Sequence, residues 1–274
     1  MAFEISAPHH ASTPVWASKD LLQKQMAVTD MAINLAAFSA RLGGSPTRRG
    51  TPAHAQWCEA YRLDLLAQFA TLLEPGRAAL LEDLRHAVPA DEAEASDIAK
   101  ITELLMTHPD FPTVGCETGH VTGSALIVNI EEGAVLLHRH RKLNRWFQFG
   151  GHPDFELDML SVARREAREE SGIADLALLT SFMRERTPVG VDLQDIPASA
   201  ARPRHLHADY RYVFAVPHLR PSVSGGDESD DFWVLGFEEA LSTSDDVIER
   251  SVKRLIAKAQ RLSLAARDRA GRAS

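Results

Sequence analysis

Three glutamates at helical spacing are the part of this 274-residue chain best suited to chemistry. Glu166, Glu169 and Glu170 stand at i, i+3 and i+4, so their carboxylates project from one face of a helix. Like charges at this spacing repel one another unless a positive group lies among them. Mg²⁺ takes oxygen ligands such as carboxylates, water and phosphates, so the spacing favours a metal site. A solvated, charged helix face is the other interpretation that these residues leave open.

Glycines and basic residues precede this helix. Gly150 and Gly151 form a turn between a short strand and the helix, where backbone carbonyls can reach the same ion. The segment 138–145 is basic, and within it Arg139 and Arg145 are the candidate phosphate contacts, because arginine pairs with phosphate in a two-pronged geometry. A solvated hairpin turn explains the same segment equally well.

The elements that must position these residues change in kind near residue 112. Apolar periodicity and Gly/Pro breakers predict helices over 18–42, 53–73, 77–86 and 92–107. After them, β-forming runs predict strands, the first two joined as a hairpin, over 121–130, 134–138, 144–149, 176–183, 189–193, 205–216 and 232–235. A helix over 158–171 ends at Gly172, and a last helix covers 245–266.

This order predicts an α+β protein in three parts: a helical N-terminal region over 1–112, a catalytic domain over 113–244 and a C-terminal helix over 245–274. Short helices with apolar stripes are marginal in water by themselves. We therefore expect residues 18–107 to pack on the catalytic domain or on a second subunit, which leaves a homodimer open.

Composition narrows the class of protein. Hydrophobic residues make up 45% of the chain and charged residues 25%, as in soluble globular proteins. The net charge of −8 argues against duplex nucleic acid as the main partner. The two cysteines, Cys58 and Cys116, form no CxxC pair, and no run is apolar enough for a signal peptide or a membrane span. A cytoplasmic location is expected.

The segment 151–173 resembles the Nudix box, GX5EX7REUXEEXGU with U aliphatic, and eight of its nine specified positions match when Ala167 is accepted as aliphatic. The flanking segments RKLNRWFQFGGH and ESDDFWV are similar to bacterial members of that family, so the resemblance covers about residues 118–242. It implies an α/β/α sandwich with a mixed sheet. It also implies hydrolysis, dependent on Mg²⁺ or Mn²⁺, of a phosphoanhydride bond in a nucleoside diphosphate derivative or a related diphosphate.

The resemblance also implies roles for individual residues. Glu169 and Glu170 would be metal ligands together with the Gly150 carbonyl, and Glu166 would be either a ligand or the base that deprotonates water. Arg165 would orient the glutamates through charged hydrogen bonds. One more acidic ligand is expected in the loop before the last strand, and the candidates there are Glu228 first, then Asp227, Asp230 or Asp231.

The chain departs from the box at position 157, where Leu157 replaces the usual glutamate and Phe155 stands where relatives often have a turn glycine. Either Glu156 supplies the missing carboxylate or contacts substrate through a loop shifted by one residue, or the site is weakened. A weakened site would favour a ligand-binding or regulatory protein on the same scaffold. An isopentenyl-diphosphate isomerase is disfavoured, because that chemistry needs an active-site cysteine and Cys116 precedes the first strand.

Histidines and aromatic residues near the box have two interpretations each. His152 follows the glycine pair and could contact substrate or stabilise the turn. His205 and His207 share one strand face and could bind a metal, but with no third histidine evident nearby a surface pair is favoured. Trp146 and Phe147 could stack on a nucleobase, although core packing is expected for one of them.

Overall fold

The computed structural model describes residue 56 and residues 73–140, 143–154, 156–180, 186–199, 202–221 and 229–273. The chain separates into two compact units, Met1–Pro75 and Gly76–Ser274, and nearly all described residues belong to the second unit. The helix predicted over 18–42, most of that over 53–73, and residues Phe155, Asp227 and Glu228 lie outside the described residues.

Helices account for both ends of the described chain. The first, α1, covers residues 73–86, and the others are α2 (Glu92–Thr107), α3 (Met159–Ser171), α4 (Phe237–Ser242) and α5 (Arg250–Ala273). The side chain of Asp91 caps α2 by accepting a hydrogen bond from the Glu94 N–H at 2.8 Å. None of the helices in the described ranges has the length and apolar character needed to cross a bilayer.

A mixed sheet forms the centre of the second unit. Its eight strands are β1 (Gly119–Asn129), β2 (Ala134–His140), β3 (Arg145–Phe147), β4 (Phe149–Gly151), β5 (Ala177–Leu178), β6 (Gly190–Ile196), β7 (His205–Ala215) and β8 (Ser229–Gly236). The main path runs β3-β2-β1-β7-β5, with β4 paired to β1, β6 to β7 and β8 to β2. Only the central β1–β7 pair is parallel among these described pairings.

Two apolar clusters cover the two faces of the sheet, because successive side chains of a strand point to opposite faces. On β1, Ala125 and Ile127 join a cluster that also contains residues of α1, α2 and α3. Leu126 and Val128 join a second cluster with residues of α4 and α5. The sheet therefore lies between two helix layers, which confirms the predicted α+β sandwich.

A buried ionic network supports the sheet on the α5 side. Arg211 on β7 is 1% exposed and donates to Asp209 at 2.7 Å and to Asp192 at 2.8 Å. Asp209 also accepts from the hydroxyl of Ser124 on β1, at 2.7 Å. Buried charges are tolerated when they are paired and fully hydrogen-bonded. The network thereby fixes Ser124, against which the Gly150 turn packs.

Candidate active site on helix α3

Helix α3 carries the three glutamates beside its buried apolar residues. Val162, Ala163 and Ala167 are fully buried against the sheet, and Glu166 and Glu170 follow them at spacings of three or four residues, so they border the same face of the helix. The side chain of Asp158 caps the first turn by accepting from the Leu160 N–H at 3.2 Å. The helix ends at Gly172, whose φ of 70° is the left-handed conformation that suits glycine.

The Arg165 guanidinium ties two of the glutamates to the preceding loop. Its Nη1 donates to Glu166 Oε1 at 2.7 Å and to Glu169 Oε2 at 3.3 Å. Its Nη2 donates to the backbone carbonyl of His152 at 2.8 Å, and Asp154 lies 3.4 Å from Nη1. Charged hydrogen bonds are short and directional, so these contacts hold the Arg165 guanidinium between the loop and the carboxylates of Glu166 and Glu169.

The glycine turn lies directly against the same carboxylates. The Gly150 N–H donates to Glu170 Oε2 at 3.1 Å. A Cβ added to Gly151 would lie 2.5 Å from Glu166 Oε1, and one added to Gly150 would lie 2.3 Å from the Ser124 hydroxyl oxygen. Only glycine allows this close approach, because any side chain would displace the carboxylate or the strand. The three glutamates and the turn thus meet at one place.

The electrostatics of Glu166 suit a cation at this place. Burial raises the pKa of the Glu166 carboxyl, Arg165 opposes that shift, and the nearby Glu169 carboxylate adds to it. Glu169 is largely exposed, with a side-chain exposure of 61%, whereas that of Glu166 is 14%. Carboxylate oxygens, some nearly buried and some open to solvent, are typical ligands of a hard divalent cation such as Mg²⁺. The residues present therefore fit such an ion.

Comparison with known proteins decides the family. A family model described as the NUDIX domain matches residues 119–255, half of the chain. The chain belongs to the Nudix family. The Nudix box identified in the sequence is the loop, helix and cap described above, from Gly151 to Ile173.

Two solved structures to which this Nudix chain is similar have low sequence identity with it. A Nudix-family hydrolase from Clostridium perfringens is 23% identical, with 53% of this chain and 97% of that chain covered and a TM-score of 0.42. The dihydroneopterin triphosphate pyrophosphohydrolase of E. coli is 19% identical, with 50% and 92% covered and a TM-score of 0.39. No curated protein matches the chain.

The departure from the Nudix box is explained by packing. Leu157 is 4% exposed and contacts Gly76 of α1, where an added Cβ would lie 2.3 Å from Leu157 Cδ1. Its neighbour Glu156 is half-buried, and burial and the Asp158 carboxylate raise its pKa, against the opposing effect of Arg165. An apolar residue at position 157 thus fits the contact with α1, and Glu156 is a second loop carboxylate, besides Asp154, on which Arg165 acts.

The remaining candidates around the Nudix site have mainly structural contacts. Arg139 donates from Nε to Asn144 Oδ1 at 3.0 Å and lies 3.7 Å from Asp231, so it holds the β2–β3 turn. Arg145 is half-buried on β3, opposite His140. Trp146 packs on Trp233 with ring centroids 5.1 Å apart, and it joins Phe147 beside the α5-side cluster. Both aromatic residues therefore pack on the core, where the sequence predicted this for one.

Four histidines meet beside the Nudix loop, which corrects the expectation that His205 and His207 have no third histidine nearby. The parallel register places His120 of β1 opposite His207 of β7. Ring centroids of His120 lie 4.5 Å from His207, 5.0 Å from His152 and 5.2 Å from His205. Burial lowers the pKa of His120 to about 2 and that of His207 to about 3, and neighbouring imidazoles add to both shifts. The His120 and His207 rings are therefore neutral.

The sequence contains one partial signal of this cluster. His120 directly precedes the strand predicted over 121–130, and His207 lies near the start of the strand predicted over 205–216. Which strands are neighbours, and in which register, is not a local property of either segment. The cluster therefore emerges only from the folded sheet.

Proposed function

We propose that this Nudix hydrolase cleaves a phosphoanhydride bond in a nucleoside diphosphate derivative or a related small diphosphate, with Mg²⁺ or Mn²⁺ as cofactor. The observation that supports the proposal most directly is the convergence of three carboxylates on one glycine turn. Glu166 and Glu169 share the Arg165 guanidinium, and Glu170 accepts from the Gly150 N–H. A cleft of this kind holds a hard cation and a phosphate chain together.

The cation would be held by Glu169 and Glu170, by the Gly150 carbonyl, and by Glu228, which precedes β8 in the sequence, with Glu166 as either a further ligand or the base. When bound, it would neutralise charge on the phosphate oxygens. Arg139, Arg145, His152 and Glu156 are the proposed substrate contacts. A cytoplasmic location and a homodimer stay predictions.

The proposed reaction is attack by water on phosphorus. The water oxygen forms a bond to phosphorus while the bond from that phosphorus to the bridging oxygen breaks, so two phosphorylated products separate. Glu166 is the proposed base that accepts the proton the water loses. Arg165 keeps Glu166 in place by the 2.7 Å hydrogen bond.

A hydrolysis screen tests the proposal. The purified chain is incubated with nucleotide sugars, dinucleotides and nucleoside triphosphates, with Mg²⁺ or Mn²⁺, and products are separated by anion-exchange chromatography. Glu166→Gln is expected to lower kcat roughly 10²- to 10⁴-fold on any substrate found. The matched control is Glu103→Gln, an exposed glutamate on α2.

Two outcomes would contradict the proposal. Full turnover by Glu166→Gln, Glu169→Gln and Glu170→Gln alike would place the chemistry elsewhere. Tight nucleotide binding without turnover by the wild type, in either metal, would instead favour a ligand-binding protein on the Nudix scaffold.

A further inference from the structure

The histidine cluster is separate from the acidic ligand set. His120, His152 and His207 each offer a ring nitrogen, and these three atoms all lie within 4.8 Å of one another. His120 and His207 come from paired strands, and His152 comes from the loop after β4. Three imidazoles from three separate segments therefore lie close together. This arrangement differs from the simple surface pair on one strand that the sequence favoured.

His120 is the residue that points to a ligand. Its side chain is 0% exposed, and neither ring nitrogen has a hydrogen-bond partner among the described residues. Buried polar atoms are nearly always satisfied by protein, water or an ion. The rings next to His120 are also imidazoles, so its unsatisfied nitrogens lie beside other nitrogen atoms that can bind a metal.

We propose that His120, His152 and His207 bind one Zn²⁺ ion. Neutral imidazole is a common zinc ligand, and ligands of this borderline type favour zinc and its transition-metal neighbours over Mg²⁺. Three protein ligands leave a fourth tetrahedral position for a water or another outside ligand, as in zinc sites that are not purely structural. His152 is exposed, so the ion reaches the site from solvent on that side.

His205 supports this site as an outer partner. Its Nδ1 lies 2.8 Å from the carbonyl oxygen of Pro203, and its Nε2 lies 3.1 Å from Nε2 of His207. A carbonyl only accepts, so the Nδ1 of His205 carries a proton, and whenever its Nε2 carries none that nitrogen accepts from His207. The lone pair of His207 is then on Nδ1. Hydrogen bonds of this kind orient the histidines that bind metals.

Arg202, a cation close to the histidine cluster, has hydrogen-bond partners of its own. Arg202 contributes to the lowered pKa of both His120 and His207. Its guanidinium donates to the backbone carbonyls of Val114 and Cys116, the latter at 3.1 Å. These hydrogen bonds hold Arg202 against the segment before β1.

The zinc site and the acidic site meet at His152. Its ring belongs to the histidine cluster, while its carbonyl accepts the 2.8 Å hydrogen bond from Arg165, which also contacts Glu166 and Glu169. An ion on the His152 ring would restrict the loop that carries this carbonyl. The zinc site can nevertheless be tested by Zn²⁺ binding alone, and it does not depend on the proposed hydrolysis.

Zinc titration of the full chain tests the site. Chelator-treated protein is titrated with Zn²⁺ by calorimetry and with Co²⁺ by visible absorption, since four-coordinate Co²⁺ has intense visible bands. We expect one ion per chain. His152→Ala should weaken zinc binding by at least about 100-fold, because it removes a direct ligand, and His205→Ala by roughly 10- to 100-fold. His152 is exposed, so its loss leaves the core intact.

Matched variants distinguish this site from zinc binding elsewhere on the chain. His218→Ala removes an exposed histidine outside the cluster and should bind zinc like the wild type. Glu169→Gln/Glu170→Gln should also keep wild-type zinc affinity while losing hydrolysis. The proposal is overturned if His152→Ala and His207→Gln bind zinc as the wild type does. It is equally overturned if the wild type binds no zinc, or if the glutamate variant alone loses it. None of these outcomes decides the hydrolysis screen.

Discussion

Glu156 and Leu157 are neighbours whose side chains have different surroundings. Glu156 lies near Arg165 and Asp158, both of which affect its pKa. Leu157 is 4% exposed and fills the space beside Gly76, a residue too small to compete for it. Position 157, where the Nudix box usually has a glutamate, is thus occupied by a leucine that packs the loop against α1.

The substitution Leu157→Glu tests this contact. From the sequence alone, a glutamate there is expected to add a metal ligand and raise metal affinity. In the structure it would place a carboxylate against α1, so we expect the free energy of unfolding to fall by at least about 2 kcal/mol. Urea unfolding at neutral pH measures it. Leu157→Met, which keeps the apolar volume, should cost under about 1.5 kcal/mol. If Leu157→Glu keeps the wild-type stability and binds metal more tightly, position 157 belongs to the metal site and not to the contact with α1.

Local spacing explains which site residues could be predicted from the sequence. Glu166, Glu169 and Glu170 share a helix face because of the helical period alone, and Gly150 adjoins them across one short loop. His120 could not be found in this way, because its partners follow it by many residues and only the β1–β7 register brings them together. The placement of Leu157 against Gly76 likewise depends on tertiary packing.

Helix α3 depends on its first turn for its position. Asp158 accepts from the Leu160 N–H at 3.2 Å and from the Ser161 hydroxyl at 2.9 Å, and it also forms an ion pair with Arg186. The side chain is buried, so these bonds are poorly replaced by water. One residue therefore caps the catalytic helix and connects it to the segment before β6.

Two substitutions separate these functions of Asp158. Asp158→Ala removes both the cap and the ion pair, and we expect it to lower the free energy of unfolding by about 1–3 kcal/mol. Asp158→Asn keeps a capping oxygen and removes the charge, so its cost should be clearly smaller. Thermal and urea unfolding of the three proteins provide the comparison. Equal losses for both variants would assign the effect to the ion pair instead of the cap.

Elements with a complete local pattern were predicted well. The bounds of α2, Glu92–Thr107, coincide with the predicted range, and α3 has the predicted cap at Gly172. The strand predicted over 144–149 is two strands, β3 and β4, which pair with different neighbours. The last helix begins at Arg250 and not at 245, and the six-residue α4 was not predicted. Strand pairing depends on the tertiary structure, so the division into β3 and β4 is not visible in the local sequence. A helix of six residues is too short to show a clear apolar period.

At the scale of the whole molecule, α1 and α2 belong to the same core as the sheet. Leu80, Leu84, Ile101 and Leu105 lie in one cluster with residues of β1, β7 and α3. Within the second unit, the described residues of α1 and α2 thus pack on the sheet, as expected for this part of the helical region. The division predicted at residue 112 stays a prediction about domains, and the described core extends across it.

A pair of adjacent positions on α2 measures this packing. Leu105 is 0% exposed, whereas the neighbouring Met106 is 65% exposed. Leu105→Ala should lower the free energy of unfolding by about 2–5 kcal/mol, because it leaves a cavity in the shared core. Met106→Ala should change it by less than about 0.5 kcal/mol. Urea unfolding distinguishes them, and similar small losses for both would show that α2 contributes little to the core.

The parallel pairing of β1 with β7 has a consequence for how the chain folds. The paired residues Thr122 and Asp209 are 87 positions apart, whereas β1 and β2 are joined by a short hairpin. At about 5–20 residues per second, the ribosome needs roughly 4–17 seconds to make the chain between them. During that interval the β7-facing edge of β1 has no native partner and is open to pairing with other chains. Long-range pairing of this kind also slows refolding, because a large loop must close before the ladder forms. The histidine cluster, which spans both strands, is therefore assembled late in folding.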